Sequence, residues 1–158
     1  MLENLITDRS YADVEAVKAL EKVIKAGTAT EEQVQQYLNG HQKGAYTYED
    51  LTRVELAVQY VAAELNKYGY MPVLPIIRIW NMSDIPNADD FARYLNNVAQ
   101  IRAAVAVWPT TPAAPTSATG FDVYKANAME QILLDVVRIL DHIKDAWLYS
   151  GDLYLGED

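Results

Sequence analysis

Helical periodicity punctuated by capping residues constrains this chain more than any other feature. Leu51, Val54, Val58, Val61 and Leu65 recur in steps of three and four, the spacing that places side chains on one face of an α-helix. Thr47-Tyr-Glu-Asp50 precedes this stripe as a start signal, and Gly69 follows it as a stop. The same grammar repeats. Ser10 with Asp13 opens a segment carrying Val14, Val17, Leu20 or Glu21, and Ile24, closed by Gly27. Thr30-Glu-Glu-Gln33 opens a short helix with Val34, Tyr37 and Leu38 on its apolar face, closed by Asn39-Gly40. Asn87 is the expected N-cap of a fourth helix over 88–107, with Phe91, Leu95, Val98, Arg102 and Val105 on one face and Tyr94 and Ile101 beside it. Asp122 or a neighbour opens the longest helix, to about Tyr149. Its expected stripe is Tyr124, Ala128, Ile132, Val136, Ile139, Ile143 and Trp147, widened by Met129, Leu133 and Leu140.

Between these segments the pattern changes. Pro72 and Pro75 forbid regular helix, and Val73, Leu74, Ile76, Ile77 and Ile79 favour extended backbone, so residues 70–80 read as a linker or a short edge strand. Pro109, Pro112 and Pro115 mark a loop over 109–120. The expected fold is mainly all-α: one domain over 1–158, an elongated bundle of about five helices. A chain of 158 residues is long enough to bury a core without staples.

Composition narrows the chemistry. Thirteen Lys and Arg against twenty-two Asp and Glu give a net charge of −9. No basic run exists to neutralise phosphates, so nucleic acid is not an expected partner. Cysteine is absent, which removes disulfides, thiolate catalysis and cysteine-based metal sites. The opening MLENLITDRS has no apolar run and does not read as a signal peptide, and the longest apolar stretches fall well short of the ~20 residues that span a membrane.

A search for catalytic constellations returns structural explanations. The two histidines, His41 and His142, form no His-x-x-x-His or Glu-x-x-His pair. Asp135 lies seven residues before His142, which permits an Asp–His metal site or a solvated polar face. Glu49, Asp50, Asp89 and Asp90 offer paired carboxylates, yet each pair falls in a helical first turn, where capping and dipole complementarity account for it. Gly-x-Ser-x-Gly, Ser-x-x-Lys and phosphate-cradling glycine motifs are missing. No catalytic residue, metal ligand or cofactor is expected.

Aromatic usage deviates more. Eleven Tyr and three Trp stand against two Phe. Such rings suit half-wet positions, as an interface, as a carbohydrate-contacting face, or as cover for the ends of a thin bundle. Trp147, Tyr149, Leu153, Tyr154 and Leu155 form an apolar, glycine-flanked cluster, so 150–158 is expected either to fold back on the domain or to dock on a neighbour. Trp80 beside Asn81, and Tyr94 near Asn96 and Asn97, are the rings expected to meet a sugar or a partner.

Five phrases in order carry a resemblance: Leu5-Ile-Thr-Asp-Arg-Ser10, Lys43-Gly-Ala-Tyr-Thr-Tyr-Glu-Asp-Leu-Thr-Arg-Val-Glu55, Trp80-Asn-Met-Ser-Asp-Ile-Pro86, Arg93-Tyr-Leu-Asn-Asn-Val98 and Tyr149-Ser-Gly-Asp-Leu-Tyr-Leu-Gly-Glu157. Together they resemble a family of small proteins and domains of tailed phages and prophages of Gram-positive bacteria, labelled tail, minor structural or hypothetical proteins. The resemblance implies a virion component made in the bacterial cytoplasm, tail or baseplate associated, that contacts copies of itself or another tail protein and has no catalytic residue. The alternatives are a module binding host-surface glycan and a cell-wall hydrolase using Glu49 or Asp50.

Overall fold

The structure, a computed structural model, describes residues 2–39, 42–71 and 73–151, with side chains from 147 onward excluded. A 3-10 turn, Leu2–Asn4, leads to five helices: α1 (Tyr11–Lys25), α2 (Glu31–Leu38), α3 (Tyr48–Lys67), α4 (Ala88–Ala104) and α5 (Val123–Gly151). No strand occurs among the described residues, and 73–80 takes neither helix nor strand. The mainly α, bundle-like class expected from periodicity is the class observed.

The starts follow the capping residues closely. Ser10 with Asp13, Thr30 with Gln33 and Asn87 with Asp90 form reciprocal capping boxes. At α3, Asp50 returns to the Thr47 backbone N–H at 2.8 Å. The Asp122 carboxylate accepts the Lys125 N–H at 3.0 Å at the head of α5. Gly27 and Gly69 take φ of +66° and +77° just past α1 and α3, a region that costs other residues steric strain. Gly40, expected to close α2, and the cluster Leu153, Tyr154 and Leu155 lie outside the described residues, as do the side chains of Trp147 and Tyr149.

Three helices make the core. Leu51, Val54, Val58, Val61 and Leu65 of α3 are all buried, as their stripe requires. They pack with Tyr94, Leu95, Val98 and Ile101 of α4 and with Met129, Ile132, Leu133, Val136 and Leu140 of α5. The predicted faces of α4 and α5 are each turned slightly. Tyr94 and Ile101 are central in α4, while Phe91 is only partly buried. In α5, Val123 and Ala126 are buried and Tyr124 is 65% exposed. Helix α4 also stops three residues earlier than expected. Val105 turns to extended backbone, φ −135°, ψ 158°. β-branched Val105 and Val107 favour that turn, and Trp108 precedes Pro109, a position that disfavours helix.

Helices α1 and α2 form a side pair. Leu20 is the one buried residue of α1, and the expected α2 face is not covered: Tyr37 and Leu38 are 39% and 68% exposed. A two-helix pair this short has little apolar surface to bury. Its attachment is a close backbone approach instead. A Cβ at Gly44 would stand 2.1 Å from the Asp13 carbonyl oxygen, so only glycine lets the loop before α3 lie against the head of α1.

The proline loop is pinned rather than free. Arg102 donates to the Pro112 carbonyl at 2.6 Å, and the buried Thr111 hydroxyl donates to Asp135 at 2.8 Å. Asp135 also accepts from Gln131 at 2.7 Å and is itself buried. It therefore belongs neither to a solvated face nor to a metal site with His142; it anchors the loop to α5.

Candidate functional site

Two groups of converging charged residues are buried between the core helices. Arg9, on the segment before α1, places its guanidinium between α3 and α5. One nitrogen, Nη2, donates to Asp50 at 3.0 Å and to Glu130 at 2.7 Å. Arg53, one turn after Asp50 on α3, donates to the same two groups at 2.5 and 2.9 Å and sends its Nε to Glu130 at 3.3 Å. The Ile6 N–H donates to the other Glu130 oxygen at 2.6 Å. Asn127 brackets Arg9, accepting its N–H at 3.0 Å and donating to its carbonyl at 2.9 Å. The four charges cancel, which is how buried charges are normally tolerated.

This cluster could not act as a carboxylate pair in hydrolysis. Both Glu130 oxygens and one Asp50 oxygen receive arginine or backbone donors, and the second Asp50 oxygen receives the Thr47 N–H and hydroxyl. No oxygen is left to meet a substrate. Burial draws the Arg53 pKa down, but its bonds to Glu130 and Asp50 outweigh this and raise it above its ordinary value. A cavity of about 320 Å³ borders the cluster, walled by Leu5, Ile6, Lys43, Thr47 and Glu49 among others. Its charged rim is also paired: Lys43 meets Asp8 at 2.7 Å. Among the described residues no group of three His, Asp or Glu could hold a metal ion.

A second buried pair lies on the other side of α3. Glu55, fully buried, is gripped by Arg93 of α4 at 2.6 and 3.2 Å in a two-pronged contact. Arg93 also donates to the Ile76 carbonyl at 2.9 Å, and the buried Asn97 amide does the same at 2.9 Å. Four residues on, the Trp80 N–H donates to the Thr52 hydroxyl at 2.9 Å, which donates back to the Trp80 carbonyl at 3.2 Å. Arg78 lies over the Trp80 ring at 4.3 Å and pairs with Asp84 and Asp90. The irregular segment is thus fastened to α3 and α4 at two points.

These anchors decide where the predicted ring residues go. Trp80 and Tyr94, expected to meet a sugar or a partner, are 3% and 1% exposed. Trp80 is drawn in by Thr52, and its indole N–H, like the Arg9 Nε, is buried with no hydrogen-bond partner. Tyr94 joins an aromatic cluster in which Phe91 meets Tyr94 and Phe121 edge-on, and Phe121 meets Tyr46. What faces solvent instead is aliphatic: Val73, Leu74, Ile76, Ile79, Met82 and Ile85 are between 52% and 88% exposed. The β-forming composition of 73–79 was the only sequence signal for this surface, and it carried no orientation.

No protein-family model matches the chain, and no curated protein or solved structure shows significant similarity to it.

The aromatic cluster has a titration consequence. Tyr46 is half-buried, and its hydroxyl lies 2.5 Å from that of the buried Tyr94. Burial first, then the neighbouring phenol, pushes the Tyr94 pKa well above its ordinary 10.0. Burial also raises Tyr46, against the opposing hydrogen bond from Tyr94. The folded chain therefore keeps protons that the unfolded chain releases above pH 10. This contribution is whole below pH 10 and is lost as pH rises toward the folded values, by up to about 1.4 kcal/mol per pH unit for each phenol. From neutral pH thermal melts should be flat up to about pH 9.5 and then fall. Tyr94→Phe should melt lower at neutral pH and show a shallower alkaline decline. Equal declines in the two proteins would show that these phenols do not govern it.

Proposed function

We propose that this chain is a non-enzymatic structural or interaction protein of a phage particle, associated with the tail or baseplate. The observation that carries the interaction role is the exposed aliphatic segment 73–85, held on a rigid mount by Arg93, Asn97 and Thr52. An enzyme would instead be expected to expose converging ionisable groups, and those that converge here are committed to one another. The phage assignment rests on the five ordered phrases from Leu5 to Glu157. Three of those phrases carry Arg9, Asp50, Arg53, Glu55 and Arg93, members of the two buried ion-pair networks. A glycan-binding role loses its stacking platform, because Trp80 and Tyr94 are core residues. A hydrolase role using Glu49 or Asp50 loses Asp50 to its arginines, and Glu49 accepts from the Tyr48 hydroxyl at 3.3 Å. Mass spectrometry of virions purified from an induced host should find this chain at a fixed ratio to tail proteins. Its repeated absence from intact particles would defeat the proposal.

A further inference from the structure

The segment from Val73 to Ile85 is out of keeping with the rest of the surface. Its six outward aliphatic side chains are Val73 at 77%, Leu74 at 52%, Ile76 at 79%, Ile79 at 56%, Met82 at 82% and Ile85 at 88% exposed. At the area implied by their transfer energies they present roughly 250–500 Å² of apolar surface. That is comparable to the largest patch on an ordinary monomer, roughly 300–600 Å². It also approaches the apolar share of one partner's half of a standard interface, which is about 800 Å² and roughly 60% non-polar.

Charge points the same way. Between Val73 and Ile85 the only charged residues are Arg78 and Asp84, and they pair with each other at 3.0 Å. The segment is neutral in a chain whose net charge is −9. Two copies of so acidic a molecule repel one another over most approaches. Face to face on this segment they meet where neither brings net charge. An aliphatic row without a charge to complement is also self-complementary, which a twofold interface demands. The mount removes the usual entropic obstacle. The Ile76 carbonyl is held by two donors, Trp80 is locked to Thr52, and Ile77 packs against the core while Ile76 points out. Little ordering is left to do on association.

We infer that residues 73–85 form the contact surface of a homodimer, two copies packing these aliphatic rows against each other about a twofold axis. This deepens the interaction role proposed above by naming the partner as a second copy of the chain.

Sedimentation of the full chain from about 1 to 200 µM, in buffer of physiological salt, tests it. The expected result is a concentration-dependent dimer. Ile76→Asp combined with Ile85→Asp should weaken association by at least roughly 100-fold, the scale of losing central interface residues. Because both side chains face solvent, the melting curve of the dilute monomer should stay as in the parent. The natural absence of cysteine permits a second, independent measurement. Ile76→Cys should form an intermolecular disulfide on mild oxidation, and Leu38→Cys, 68% exposed on α2, should not. A monomer at every concentration would overturn the inference, as would a dimer indifferent to the double substitution or equal cross-linking from both cysteines. A dimer absent from virions would defeat the phage assignment alone; a monomer present in virions would defeat the dimer alone.

Discussion

Glu130→Ala is expected to destabilise the fold by about 3–5 kcal/mol, the usual cost of removing one member of a buried ion pair. Glu130 is fully buried and is the single carboxylate shared by Arg9, Arg53 and the Ile6 N–H. Its loss leaves two guanidinium groups facing Asp50 alone, one net positive charge in a place with little water. Glu130→Gln should be nearly as damaging. It keeps the shape but brings an NH₂ group into a site whose neighbours are all donors. The damage should also be local before it is global. Ile6 and Arg9 are the fastenings of the N-terminal segment to α5, so the Ile6 amide should lose its exchange protection at denaturant concentrations where α3 and α5 are still closed. Urea unfolding gives the global number and amide exchange gives the order of events. A Glu130→Ala protein within about 1 kcal/mol of the parent would mean the cluster is solvated and not a structural tie.

This cluster also shows what could and could not be read from the chain. Caps and stripes are local: Ser10 sees Asp13, and Val54 sees Val58 within a turn, so starts, stops and the α3 face follow from spacing. The ion pairs are not local. Arg9 and Glu130 stand 121 residues apart and Arg93 and Glu55 38 apart, and nothing in either neighbourhood marks a partner. Glu130 instead reads as one more polar position beside the α5 stripe. The same distance problem misplaced Trp80. Its neighbours Asn81 and Ser83 read as wet, and only Thr52, 28 residues earlier, draws the indole inward. The faces of α4 and α5 erred for a different reason. A helix with apolar residues on more than one side can be turned by one position without changing its pattern, and only the packing of α3 against both fixes which row is central. Pro72 and Pro75 did mark 70–80 as a linker between helices, while the edge strand that its β-forming residues also allowed is not formed over 73–80. That its aliphatic side chains point outward depends on two anchors from other helices.

Val58→Asp should leave the chain largely unfolded at room temperature. Val58 has no exposed surface and lies midway along the buried α3 row, within the cluster formed by α3, α4 and α5. An aspartate there must either carry an unpaired charge among aliphatic groups or take up a proton and still bury an unsatisfied carboxyl. Either costs several kcal/mol, against a total stability of only about 5–15 kcal/mol for a domain. Position and charge can be separated with one neighbour. Gln59 is exposed on the same helix, so Gln59→Asp adds the same charge one residue away and should shift stability by less than about 0.5 kcal/mol. Val58→Ala should fall between them, at about 2 kcal/mol, since it removes methyl contacts and leaves a small void without adding a polar group. Circular dichroism at 222 nm with thermal melts orders the three variants. If Val58→Asp melted like Gln59→Asp, the α3 row would have to face water. The assignment of α3, α4 and α5 as one core would then fail, along with the rigid mount on which the 73–85 interface depends.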